Sequence, residues 1–113
     1  MTSDRMRRVD EAVREVLSDA ITKQVKDPRV GFVTVTDVST SPDLRHARVY
    51  VSILGTPAEQ EASLEGLRSA HGFLQSRVAR ELRLKNTPEL DFILDDTAEK
   101  AFRLERLLEE EGA

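Results

Sequence analysis

Two stretches of alternating apolar and polar residues flank a turn near the middle of the chain, and they restrict the fold more than any other feature. "FVTVTDV" (Phe32–Val38) is rich in β-branched residues. In "RHARVYVSIL", Ala47, Val49, Val51 and Ile53 face one way while His46, Arg48, Tyr50 and Ser52 face the other. Between them "SPDL" sets Pro42 at the second position of a tight turn with Asp43 after it, and Ser39-Thr40-Ser41 reads as turn as well. Strands joined this closely pair antiparallel.

Helical spacing surrounds the hairpin. Met6, Val9, Val13, Val16, Leu17, Ala20 and Ile21 recur every three or four residues, which predicts an amphipathic helix from about Asp4 to Gln24 that ends before Pro28. Gly55 and Pro57 break the second strand, and a helix then runs from about Pro57 to Ala70 with Leu64 and Leu67 inward. Beyond Gly72, a second inward stripe consists of Leu74, Val78 and Leu82. Asn86-Thr87-Pro88 connects to "ELDFILD" (Glu89–Asp95), where Leu90, Phe92 and Leu94 alternate with Asp91, Ile93 and Asp95. Asp96 or Thr97 then caps a last helix carrying Ala101, Phe102, Leu104, Leu107 and Leu108.

The order is αββααβα. A crossover through two helices makes the second and third strands parallel neighbours with a right-handed connection, so the first strand takes an outer edge. The expectation is an α+β fold with a three-stranded mixed sheet and helices on one face. It forms a single domain over 1–113, with its core at about 4–109.

The chain has 113 residues and no cysteine, which removes disulfides, thiolate metal sites and cysteine nucleophiles. Its start is too charged for a signal peptide, and no apolar run approaches the ~20 residues of a membrane span. We expect a soluble cytoplasmic protein with no membrane partner. The net charge of −4 conceals a segregated distribution. Between residues 66 and 86 stand Arg68, Arg77, Arg80, Arg83 and Lys85 against Glu81 alone, and Arg5, Arg7 and Arg8 form a second basic group. From Glu89 onward acids dominate.

Gly72 interrupts helical spacing where glycine costs about 1 kcal/mol against alanine. Two uses suit it: a C-cap or close-packing point, or a junction that leaves the amides of the following helix open to phosphate near His71. On a helical wheel, Leu74, Val78 and Leu82 share one arc, and Arg77, Arg80 and Arg83 are expected on the far side with Phe73 among them. Arginines beside an outward aromatic suit phosphates and bases, and equally suit a solvated surface. His46 and His71 lie on different elements without cysteines or carboxylates at metal-ligand spacing, and no phosphate loop or nucleophile elbow is present. We expect no enzyme activity, no metal, no cofactor and no small-molecule substrate.

The αββααβ order is similar to the type II KH domain, with Ala70-His71-Gly72 in place of the GXXG loop. With Asp27-Pro28-Arg29, Ser41-Pro42-Asp43-Leu44 and Thr87-Pro88-Glu89-Leu90 leading to Phe92, the chain resembles the ribosome-binding factor A family from about Arg8 to Leu108. The resemblance implies a KH-like domain whose Ala-x-Gly kink involves Ala70 and Gly72. It also implies an assembly factor that binds free 30S subunits and their 16S rRNA, assisting late maturation, 5′-end processing and growth at low temperature. The expected contact residues are Arg5, Arg7, Arg8, His71, Gly72, Phe73, Arg77, Arg80, Arg83 and Lys85, on a monomer. The alternative is a protein-interaction module that uses the acidic last helix, Glu99 to Glu111, to bind a basic ribosomal protein or another factor.

Overall fold

The computed structural model describes residues 4–95. Its elements are α1 (Asp4–Lys23), β1 (Val33–Thr40), β2 (His46–Ile53), α2 (Pro57–Ser69), α3 (His71–Leu82) and β3 (Glu89–Leu94). The last helix, with the cap at Asp96 or Thr97, falls outside the described residues. The sheet order is β1-β2-β3, antiparallel between the first pair and parallel between the second, as the crossover requires.

Strand β1 departs from simple alternation. Val35 pairs with Val51 and Asp37 with Tyr50, so Thr36 is an extra residue in a β-bulge. The bulge resets the alternation, and Val35 and Val38 are both buried despite lying an odd number of positions apart. The strand therefore continues to Thr40, and Ser39 and Thr40 are strand residues, contrary to their reading as turn. The turn begins at Ser41, where Leu44 donates its N–H to Ser41 O at 2.9 Å and adopts φ 61°.

The helices cover one face. Val13, Leu17 and Ala20 of α1, Leu64 and Leu67 of α2, and Leu74 and Val78 of α3 pack with Val38, Val49, Val51 and Phe92 of the sheet. Each such side chain contributes up to about 1.5–3 kcal/mol on burial. α2 opens on a capping box: Thr56 Oγ1 accepts the Glu59 N–H at 3.2 Å, and Glu59 Oε1 accepts the Thr56 N–H at 3.1 Å.

The loop from α1 to β1 is strapped across α2. Asp27 accepts the Arg29 backbone N–H at 2.9 Å and its guanidinium at 2.7 Å, and Arg29 Nη2 donates to Ser69 Oγ at 3.1 Å. Ser63, buried in α2, donates to Arg29 O and accepts from Gly31 N–H, both at 3.1 Å. Gly66 lies under Val30 of the same loop.

Both outer strands have backbone groups closed by side chains. On β1, Thr40 N–H donates to Asp10 Oδ1 at 2.8 Å and Val38 N–H to Asp37 Oδ1 at 2.9 Å. On β3, Leu90 N–H donates to Gln75 Oε1 at 3.1 Å, and Arg68 Nη2 donates to Phe92 O at 3.3 Å.

Candidate nucleic-acid interface

Ala70 alone separates α2 from α3. It serves as C-cap of the first and N-cap of the second, at φ −89° and ψ 6°. Its N–H is shared between Gly66 O and Leu67 O, and Leu74 N–H returns to Ala70 O at 3.0 Å, so α3 starts at once in a new direction. With no side-chain oxygen at the cap position, the first turn of α3 receives no side-chain cap.

The kink is therefore Ala70's. Gly72 sits in the first turn of α3 without positive φ, and a Cβ there would meet nothing within 4 Å. The expectation that this glycine answers a backbone or packing demand is corrected: the demanding glycine is Gly66. Openness at Gly72 does leave His71, Gly72 and Phe73 exposed together, with Phe73 47% accessible. His71 Nδ1 lies 2.7 Å from Arg68 O, so the imidazole closes the end of α2 with an N–H on that nitrogen.

The arginines of α3 divide. Arg77 does not face solvent with the others: its side chain is 12% accessible, and it donates to Asp19 Oδ2 at 2.6 Å, to Gln24 of α1, and to Glu81 Oε1 at 3.3 Å. Hydrogen bonding to Asp19 raises the Arg77 pKa, while Lys23 first and Arg77 second lower that of Asp19. The physical reason is the flank that α1 occupies. Arg77 lies about 100° from the centre of the buried stripe, where α1 packs, whereas Arg80 and Arg83 lie about 140–160° away.

Arg80, Arg83 and Lys85 are exposed and make no ion pair among the described residues. Arg83 is the αL C-cap of α3 at φ 52°, with Leu84 N–H donating to Ala79 O at 3.0 Å. On α1, Arg7 pairs with Asp4 at 3.0 Å, while Arg5 and Arg8 are exposed without an ion pair. No hydrogen bond or ion pair joins this turn to α3 among the described residues, so the two basic groups remain separate. No cluster of His, Asp or Glu suited to a metal occurs among the described residues, and none of their helices is long and apolar enough to cross a membrane.

The most specific feature that sequence reasoning missed is Arg29, whose bond to Ser69 brings a guanidinium to the end of α2, beside the kink. "DPR" before a strand signals a turn, but nothing local says which helix the turn lies on.

A family model described as ribosome-binding factor A matches residues 5–108. The ribosome-binding factor A of Anaeromyxobacter sp. (strain Fw109-5) is 50% identical over 110 residues, covering 96% of this chain and 90% of that protein. A Thermotoga maritima protein, solved by solution NMR as a candidate ribosome binding factor A, is 37% identical with a TM-score of 0.73, covering 82% of this chain and 89% of that one. A homology model of the Thermus thermophilus ribosome binding factor A, fitted into a cryo-EM map of a 30S complex with that factor, is 28% identical with a TM-score of 0.64, covering 77% and 91%.

Proposed function

The chain belongs to the ribosome-binding factor A family, and on that premise we propose that it binds the maturing small ribosomal subunit and touches 16S rRNA through the helix junction and the outer face of α3. The observation that carries the reading is the grouping of Arg80, Arg83 and Lys85, free of acidic partners, on the same short helix and its exit as the exposed His71-Gly72-Phe73 turn. Guanidinium and ammonium groups without internal partners pair with phosphate at no cost to the fold, and a half-exposed phenyl ring offers a stacking surface for an unpaired base. The 30S complex of the Thermus thermophilus relative supports the choice of particle.

Binding of this kind needs no chemistry. The domain acts by occupancy, holding or displacing RNA helices until the 5′ region of the rRNA is ready for processing, and it does so as a cytoplasmic monomer without cofactor. Growth at low temperature is the physiological setting in which that assistance matters.

Co-sedimentation with purified small subunits at several salt concentrations tests the proposal. Arg80→Ala with Arg83→Ala is expected to fold normally and bind weakly. Each lost phosphate contact lowers the slope of log affinity against log salt by about 0.9 for duplex-like RNA and about 0.7 for single-stranded RNA. A double variant with parental affinity and slope removes α3 from the interface and leaves Arg5 and Arg8 as the remaining cations of the reading.

A further inference from the structure

A second set of hydrogen-bond donors lies at the hairpin, away from the helix junction. A groove beside the turn is lined by Ser39, Thr40, Ser41, Pro42, His46 and Arg48, with no carboxylate among its walls. Thr40 is only 8% exposed, and its hydroxyl is a buried side-chain oxygen without a hydrogen-bond partner among the described residues. Folded proteins seldom leave such a group unsatisfied, and an exception calls for an external partner.

The other walls define that partner. Arg48 is exposed without an ion pair among the described residues, and Ser39 stands opposite it in the strand register. Ser41 is already committed, its hydroxyl donating to Asp43 Oδ1 at 2.6 Å and accepting the His46 N–H at 3.0 Å. His46 Nδ1 lies 3.7 Å from Glu89 Oε2, and Glu89 and Asp91 line the adjoining groove on the β3 side. What remains on the turn side is a guanidinium, two hydroxyls and an imidazole edge, a donor set matched to an anion with several oxygens.

We propose that this groove binds one backbone phosphate of the RNA, held by Arg48 and Thr40 with Ser39 completing the set. The inference rests on the RNA-binding reading above and adds a contact on the sheet that α3 does not supply. The neighbouring carboxylates make the site weak for a free anion and selective for a phosphate presented from the turn side.

Titration of the full chain with inorganic phosphate against chloride of equal ionic strength, read by 1H–15N spectra, tests the groove itself. Saturable shifts at Ser39, Thr40 and Arg48 are expected in the parent protein and should be lost in Arg48→Ala and in Thr40→Val, which keeps the side-chain shape. Absent shifts, or shifts unchanged in both variants, overturn the site. Co-sedimentation tests its use: Arg48→Ala should lower the salt slope by about 0.7–0.9. If the Arg80 and Arg83 double variant loses subunit binding while Arg48→Ala keeps the parental slope, the groove contact is refuted and the α3 interface stands. If Arg48→Ala lowers the slope while the double variant does not, the groove stands and the α3 interface falls.

Discussion

A Cβ built on Gly66 stands 2.6 Å from Cγ2 of Val30, closer than real side chains approach, so the loop before β1 lies on α2 at a distance only glycine permits. The β-branched Val30 has little rotamer freedom with which to retreat. Gly66→Ala is expected to destabilise by about 1–3 kcal/mol, the usual cost of overpacking, despite the better helix propensity of alanine. Gly72→Ala, in open space on α3, is expected to stabilise by about 0.4–1 kcal/mol. Urea unfolding of both variants decides the matter, and equal effects would remove the distinction.

Arg77 and Asp19 join α3 to α1 at 2.6 Å. Arg77→Ala should lower the melting temperature clearly, while Arg80→Ala leaves it nearly unchanged, because only Arg77 leaves carboxylates without their partner. A thermal scan of the two single variants reads this directly. A parental melting temperature for Arg77→Ala would place that side chain back among the surface cations.

Arg83 occupies the left-handed region at φ 52°, a conformation glycine adopts without strain. Arg83→Gly is expected to gain about 0.5–1 kcal/mol in unfolding free energy and still bind small subunits more weakly. Opposite signs in the two measurements separate backbone strain from phosphate contact at a single position.

The Asp27 carboxylate, receiving the Arg29 side chain and then its backbone N–H, is held down at about 2 against an ordinary aspartate value near 4. A depressed folded-state value means that the contribution is present above the unfolded pKa and is lost as pH falls toward about 2. Asp27→Asn should therefore be less stable than the parent at pH 6 and approach it as pH drops from about 4 to about 2. Fluorescence-free methods such as far-ultraviolet circular dichroism suit the comparison, since the chain has no tryptophan.

The strand order, the crossover and the inward face of β2 could be read from alternation because that face packs on helices throughout, and period two then has one meaning. β1 could not be read to its end, since the extra residue at Thr36 shifts the phase and makes Ser39 and Thr40 look like turn. The two glycines were weighed wrongly for a related reason. Gly66 is significant only because a loop more than thirty residues earlier crosses above it, and contacts at that separation leave no local trace. Arg77 shows the limit of a helical wheel, which gives directions relative to the buried stripe but not which flank a neighbouring helix fills. The exposed set of His71, Phe73, Arg80, Arg83 and Lys85 did follow from the wheel and the charge pattern.

The aspartates on the outer strand set how the protein behaves before it meets anything. At Val38 and Thr40, a foreign strand arriving to extend the sheet would bring carbonyl oxygens to N–H groups already held by Asp37 and Asp10, and would meet negative charge there. Template-driven growth, the route by which small open sheets are lost to aggregates, is blocked along that stretch by two short side chains. A domain so protected can accumulate at concentrations above those of its target and wait, since its unoccupied state offers other chains no ladder to climb.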